Sequence, residues 1–349
     1  MSHAYQAVQW NHHKKVYDGV LLLCVLLYNA AFIGITMATH AGPNNLAPEP
    51  VLLIRSTATC AFGMLHIILC IGPLARLSPR FAPLLYNRRH FGVMMFSVAL
   101  VHGIIALIFY HGMGDANPIV SLFTVNTRYD SLAHFPFQVL GFGALLILFV
   151  MAATSHDYWL KNLGPGVWKA LHMGVYVAYA LLVMHVALGA LQSETHPAFV
   201  ALTAAGVVLV SGLHLVAGFR ETGFDGSGPD HAQWVDAGPV ADIPQDRAVV
   251  LPVQGAERIA IFRRGDTLSA ISNVCAHQGG PLGEGKIVDD CLTCPWHGYQ
   301  YKVECGQSPP PFTEKVSTYR VRIEDGRALV DPSPLPPGTP VEPAQIPSA

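Results

Sequence analysis

Residues 273–301 read NVCAHQGGPLGEGKIVDDCLTCPWHGYQY. Two metal-ligand pairs stand in this stretch, Cys275-x-His277 and Cys294-x-x-His297, with 16 residues between them. Each pair offers one thiolate and one imidazole. Zinc is the rival for any Cys2His2 set, but zinc spacings more often part a cysteine pair from a histidine pair. One of each on two separate loops suits iron and sulfur. Gly279, Gly280, Gly283 and Gly285 let backbone approach such a centre without a Cβ in the way, and Pro309, Pro310 and Pro311 are placed to form a third covering loop. Working outward, AVVLPV, IAIFRR, LSAISN, YRVRIED and RALVDP read as short strands between turn residues, which predicts a small all-β sandwich.

The rest of the chain has another character. Of 349 residues, 51% are hydrophobic and 13% charged, against about a quarter charged in soluble domains. A net charge of −2 leaves no basic surplus for nucleic acid. The 17 histidines nearly equal the 21 lysines plus arginines, a balance that points to metal or haem within a membrane. Seven cysteines, four of them in the last third, fit a metal site in a reducing compartment better than a disulfide framework.

Six stretches are long and apolar enough to cross a bilayer, which takes about 20 residues: Gly19–Thr39, Ser56–Ala75, Phe91–Tyr110, Phe135–Thr154, Val167–Leu191 and Ala198–Phe219. Lys14 and Lys15 precede the first, yet its apolar run exceeds the roughly 7–15 residues of a secretory signal. With the N-terminus inside, Lys14, Lys15, Arg76, Arg80, Arg88, Arg89, Lys161, Lys169 and Arg220 gather on the cytoplasmic side, and only Arg55 and Arg128 face out. The prediction is an α-helical membrane bundle of six transmembrane helices over 1–220, in a bacterial inner membrane. Both termini and the β domain are then cytoplasmic.

Ionisable groups at bilayer depth are costly and mark function by default. The spans hold His66, His102, His172, His185 and His214. A single one reads equally well as a neutral imidazole bonded to a neighbouring helix; five together point to haem, whose iron takes axial histidines. His172 and His185 lie 13 residues apart, about 20 Å along a helix. Depth pairs His102 with His185 on the outer side and offers His66 as the inner partner of His172. His90 lies almost at the headgroups.

NRRHFGVMMFSVALVHG followed by VWKALHMGVYVAYALLVMH resembles the ferric-reductase-like transmembrane family over about residues 15–220. That resemblance implies b-type haem, one or two, held by His102, His172 and His185; His66 rests on depth alone. Arg88 and Arg89 serve equally as haem-propionate partners or as a positive-inside anchor. From Trp234 to Pro332 the chain resembles Rieske ferredoxins, which implies a 2Fe-2S cluster on Cys275, His277, Cys294 and His297. Rieske proteins of cytochrome bc complexes carry an extra, disulfide-linked cysteine in each loop; Gly280 and Trp296 stand there instead. Tyr299 replaces the serine that donates to the cluster in that class, which places the potential near the lower end of the Rieske range, about −150 mV. Tyr301 keeps the position of a donor to a ligand cysteine and argues the other way. Cys291 and Cys305 read as spare thiols.

No G-x-G-x-x-G strand–helix unit and no P-loop follow the spans. A Rieske oxygenase needs a mononuclear iron on two histidines and a carboxylate, and no histidine follows His297. Residues 221–233 read as a flexible linker and 333–349 as a proline-rich disordered tail. The resulting expectation is an oxidoreductase without catalytic side chains of its own. Electrons would pass from a cytosolic flavoprotein reductase or ferredoxin to an external or quinone acceptor. The alternatives are a non-catalytic subunit serving a partner enzyme, and a redox sensor.

Overall fold

The computed structural model describes residues 12–39, 48–85, 87–155, 157–193, 196–228, 234–277, 279–296, 298–310 and 312–347. Its helices are α1 (His12–Thr39), α2 (Glu49–Leu77), α3 (Arg88–His111), α4 (Pro118–Thr124), α5 (Phe137–Ala153), α6 (Asp157–Leu188), α7 (Ala190–Ser193) and α8 (Pro197–Gly226), with a 3-10 segment at Pro79–Leu85. Five of the helical stretches, Lys14–Thr39, Glu49–Leu77, Arg88–His111, Val167–Ser193 and Pro197–Gly226, are long and apolar enough to cross a membrane. The sixth expected span is α5. It has 17 residues, about 25 Å at 1.5 Å each, because Pro136 precedes its first turn and a turn at Thr154 and Ser155 ends it.

Leu65, Leu69, Met95, Ala144, Leu148, Ala178 and Val210 form the buried seam between α2, α3, α5, α6 and α8. The opposite faces carry large exposed apolar side chains, among them Leu26, Ile67, Ile108, Phe149, Val177 and Val208. In water such a surface would aggregate; in lipid, helices with their backbone bonds satisfied internally can present it.

Two expectations are corrected. Residues 221–226, taken as linker, continue α8; Gly223 is too isolated to stop a 30-residue helix whose exit is bonded to the next domain. The remaining linker residues, 229–233, lie outside the described residues. The tail is likewise not disordered up to residue 347. Four of its N–H groups dock on the domain: Leu335 on the Thr318 carbonyl at 2.9 Å, Gly338 on Val316 at 3.1 Å, Val341 on Glu304 at 2.8 Å and Ile346 on Asp266 at 2.8 Å. Proline already restricts the unfolded chain, so ordering such a strap loses less entropy than the composition suggests.

The C-terminal part is all β: β1 (Val235–Pro239), β2 (Ala248–Leu251), β3 (Ile259–Arg264), β4 (Thr267–Ser272), β5 (Lys286–Val288), β6 (Cys291–Thr293), β7 (Gln300–Tyr301), β8 (Thr318–Tyr319), β9 (Val321–Glu324), β10 (Arg327–Val330) and β11 (Ala344–Gln345). They form sheets ordered β1-β10-β9, β11-β4-β3-β2 with β8 also on β4, and β5-β6-β7. Tight turns set the registers. Asp289–Asp290 joins β5 to β6 and Asp325–Gly326 joins β9 to β10, all four at positive φ, as two-residue hairpin loops require. The small β5-β6-β7 sheet is the platform for the cluster loops.

Candidate functional site

Loop 1 leaves β4 and loop 2 joins β6 to β7, and the two repeat one backbone pattern. Gly279 N–H donates to the Cys275 carbonyl at 2.7 Å while Cys275 N–H donates to Gly280 at 2.9 Å. Gly298 N–H donates to the Cys294 carbonyl at 2.9 Å while Cys294 N–H donates to Tyr299 at 2.7 Å. Each loop turns on a glycine at positive φ, +70° at Gly279 and +71° at Gly298, where a side chain would be strained. Both thiols are buried. The loops face each other closely: a Cβ on Gly280 would stand 2.9 Å from Cys294 Sγ and 3.1 Å from the Trp296 ring.

The surroundings separate the two tyrosines. Tyr301 is fully buried and its hydroxyl lies 3.3 Å from Cys275 Sγ. Tyr299 donates instead to Glu314; its ring stacks on His277 at 4.5 Å and 15° and packs against Phe312. Burial, with the Cys275 thiolate next, pushes the Tyr301 phenol far up; burial and then Glu314 do the same for Tyr299. Both stay protonated donors at neutral pH. His277 Nδ1 is buried, and His297 lies outside the described residues. Two buried thiols on paired loops, with a hydroxyl donor on one of them, fit a 2Fe-2S cluster. Cys24, Cys60, Cys70, Cys291 and Cys305 are thiols outside any disulfide. Cys291, at the start of β6, and Cys305, in the turn after β7, are only half-buried, and burial raises the Cys291 thiol.

In the membrane part, His102 on α3 and His185 on α6 face each other with ring centres 6.4 Å apart. Two imidazoles that each bind one metal ion through a nitrogen about 2 Å away have ring centres about 6 Å apart. Each Nδ1 is bonded to a backbone carbonyl, His102 to Ile54 at 3.0 Å and His185 to Phe137 at 2.8 Å. That bond fixes the Nδ1–H tautomer and leaves Nε2 as the metal-binding atom. A Cβ on Gly141 would stand 2.8 Å from the His185 ring, so this glycine opens room for it. The pair fits an iron between the rings.

The inner histidines are arranged differently. His172 bonds the Trp168 carbonyl through Nδ1 at 2.9 Å and stacks on the Trp168 ring at 3.8 Å; its Nε2 is buried without a hydrogen-bond partner among the described residues. His66 is not brought to it. Its Nδ1 bonds Phe62 at 2.8 Å and its Nε2 meets the Tyr179 hydroxyl at 3.1 Å, two helical turns from His172. His214 bonds its own helix at Val210, and His90 lies 3.0 Å from Asp18. Tyr179, Gly141 and the Ile54 and Phe137 carbonyls escaped sequence reasoning, because a backbone carbonyl from another helix leaves no side-chain signal.

The two parts touch. Trp296 packs on Ile71, Ala75 and Leu85 at the end of α2 and in the turn after it. Arg258 bonds Glu221 and Asp225 on α8, each at 2.6 Å.

Paired cluster loops on a β domain, joined to helices made for lipid, define a membrane-bound iron–sulfur protein of electron transport. Residues 233–320 match the Rieske [2Fe-2S] domain and residues 57–183 match the ferric reductase like transmembrane component. The chain belongs to the Rieske family over its C-terminal part, and joins that domain to a ferric-reductase-like membrane component. It is similar to the anthranilate 1,2-dioxygenase ferredoxin subunit of Burkholderia cepacia, 35% identical over 101 residues, which are 29% of this chain and 93% of that one. It is also similar to the 3-phenylpropionate/cinnamic acid dioxygenase ferredoxin subunit of Escherichia coli (strain K12), 33% identical over 95 residues, 27% of this chain and 88% of that one. Among solved structures, the ferredoxin of carbazole 1,9a-dioxygenase from Nocardioides aromaticivorans is 25% identical, covering 29% of this chain and all of that one, with a TM-score of 0.28.

Proposed function

We propose that this protein carries electrons across a membrane, taking them from a cytosolic flavoprotein reductase or ferredoxin and releasing them to an acceptor at the outer face or to a quinone. Cys275 and Cys294 hold one iron of the cluster, and His277 and His297 hold the other. His102 and His185 hold a b-type haem. His172, with its buried unpartnered Nε2, is the ligand of any second haem; His66 would have to leave Tyr179 to join it. When bound, cluster and haem each accept and release one electron.

The chain's own residues do the rest. Ile54 and Phe137 orient the two imidazoles through their carbonyls, Tyr301 directs a hydroxyl at Cys275, and the apolar seam keeps water from the helices. The observation that carries the reading is the facing of His102 and His185, both fixed through Nδ1, in one chain with a Rieske domain. On the charge asymmetry of the loops, that domain lies on the cytoplasmic side of a bacterial inner membrane. The names of the relatives, ferredoxin subunits, favour a second form of the same reading: a carrier that serves a partner enzyme and transforms no substrate itself.

The test is haem b per polypeptide in detergent-purified protein, by pyridine haemochromogen. One or two haems are expected in the wild type, with loss of at least one in His102→Leu and His185→Leu. No haem in protein with an intact cluster would refute the transmembrane path.

A further inference from the structure

Three struts close a triangle at the junction of the two parts. The first runs within the membrane part: Arg220 Nη1 on α8 donates to the Leu77 carbonyl at the end of α2, at 2.9 Å. The second joins α8 to the Rieske domain. Glu221 and Asp225, four residues apart and so on one helix face, both reach Arg258 at 2.6 Å, and the guanidinium lies over the Phe224 ring at 5.0 Å. Gly228 follows so close to Pro252 that a Cβ there would stand 2.6 Å from the Pro252 carbonyl oxygen. The third joins the Rieske domain to α2: Trp296, between Cys294 and His297 in loop 2, on Ile71, Ala75 and Leu85.

The clamp is wired to the cluster loops through the backbone. The Arg258 carbonyl accepts Asn273 N–H at 2.8 Å, two residues before Cys275, and the Asn273 side chain accepts Gly283 N–H at 2.6 Å. Beyond Trp296, Gly72, next to Ile71, faces the Arg88 guanidinium, 3.4 Å from where its Cβ would stand, and α3, which Arg88 begins, carries His102. Helix α8, unbroken to Gly226, gives the soluble domain little freedom to swing about residues 221–226.

We propose that Arg258, gripped by Glu221 and Asp225, is a positioning residue that holds the Rieske domain docked with Trp296 on α2, and that this contact is where an electron passes between the soluble and membrane parts. The electron step rests on the function proposed above; the docking does not. One electron moves, supplied by the cytosolic reductant; no bond forms or breaks.

The experiment uses full-length protein in detergent, with two readouts. Hydrogen–deuterium exchange reports docking over residues 68–85 and 286–301, and laser-flash photoreduction reports the rate at which haem is reduced after the cluster. Arg258→Glu sets three carboxylates against one another, a repulsion expected to lower the docked population by about tenfold or more. It should deprotect both segments and slow haem reduction by a similar factor, while the cluster's EPR spectrum and potential stay as in the wild type. Adding Glu221→Arg and Asp225→Arg to Arg258→Glu should restore both readouts. Leu85→Glu, in the membrane part and outside the cluster loops, should reproduce the loss. Wild-type exchange in Arg258→Glu and in Leu85→Glu would overturn the proposal. So would lost protection with an unchanged rate, which would leave a structural contact only. If the wild type is protected at the junction yet never reduces haem from the cluster, the electron-transfer reading fails and the docking stands on exchange alone.

Discussion

Replacing Tyr301 by phenylalanine removes one oxygen from a fully buried ring and nothing else. That oxygen is 3.3 Å from Cys275 Sγ, and burial keeps its proton in place far above neutral pH, so it acts as a donor. Reduction adds negative charge to the cluster, and a donor to a ligand sulfur is then held more tightly. A strengthening of about 1 kcal/mol, the net worth of an ordinary hydrogen bond, corresponds to about 40 mV in a one-electron couple where a tenfold change is 59 mV. Tyr301→Phe is therefore expected to lower the cluster potential by about 40 mV. The change should be the same from about pH 6 to pH 9, because the hydroxyl does not titrate there. Tyr299→Phe is the internal control: its hydroxyl is given to Glu314, so its effect should be under half as large. The assay is an EPR-monitored redox titration of purified protein. An unchanged or raised potential in Tyr301→Phe, or a larger fall in Tyr299→Phe, would refute this account of the donors.

Gly280→Ala should lower cluster content per polypeptide, measured as iron and acid-labile sulfide, because the new methyl would stand 2.9 Å from Cys294 Sγ. Gly141→Ala should shift the haem absorption and EPR signature or reduce haem content, since its Cβ would meet the His185 ring at 2.8 Å; an unaltered spectrum would argue against His185 as a ligand. Tyr319 is pushed up to about 12 by burial first and Glu257 second. A raised folded-state value stabilises the domain fully below the unfolded value near 10, and that contribution is lost as pH rises from there through 12. It is worth about 2–3 kcal/mol at most. Tyr319→Phe should accordingly flatten the alkaline fall in stability seen by circular dichroism between about pH 10 and 12.

Much of this was legible in the chain itself, for identifiable reasons. Metal ligation is a local demand: a Cys-x-His and a Cys-x-x-His pair proposed to hold one cluster belong on short loops with glycines, so their spacing survives as a motif. Lipid likewise imposes apolar runs that composition reveals. Depth along a helix follows from residue count, and it paired His102 with His185. What depth cannot give is azimuth. His66 has a suitable depth, but it emerges towards α8, where a Cβ on Gly206 would stand 2.7 Å from its Nε2, and that Nε2 meets the Tyr179 hydroxyl of α6. Proline content alone points to disorder in the tail; what it hides is that the Leu335, Gly338, Val341 and Ile346 N–H groups bind the carbonyls of Thr318, Val316, Glu304 and Asp266.

The junction shows why a helix, rather than a flexible linker, suits this architecture. A tether of free residues would let the cluster domain sample a large volume, and its effective concentration at α2 would fall with tether length. Extending α8 to Gly226 places Glu221 and Asp225 on one helix face, where Arg258 meets both. Ion pairs this exposed contribute little singly. Here they act with the Trp296 contact and the Arg220–Leu77 bond, and the three close a loop through both parts of the chain. On the function proposed above, a soluble donor approaches a face of the Rieske domain other than the one that Trp296 covers, so substitutions around His277 and Phe312 should weaken donor binding without disturbing the exchange pattern at residues 68–85.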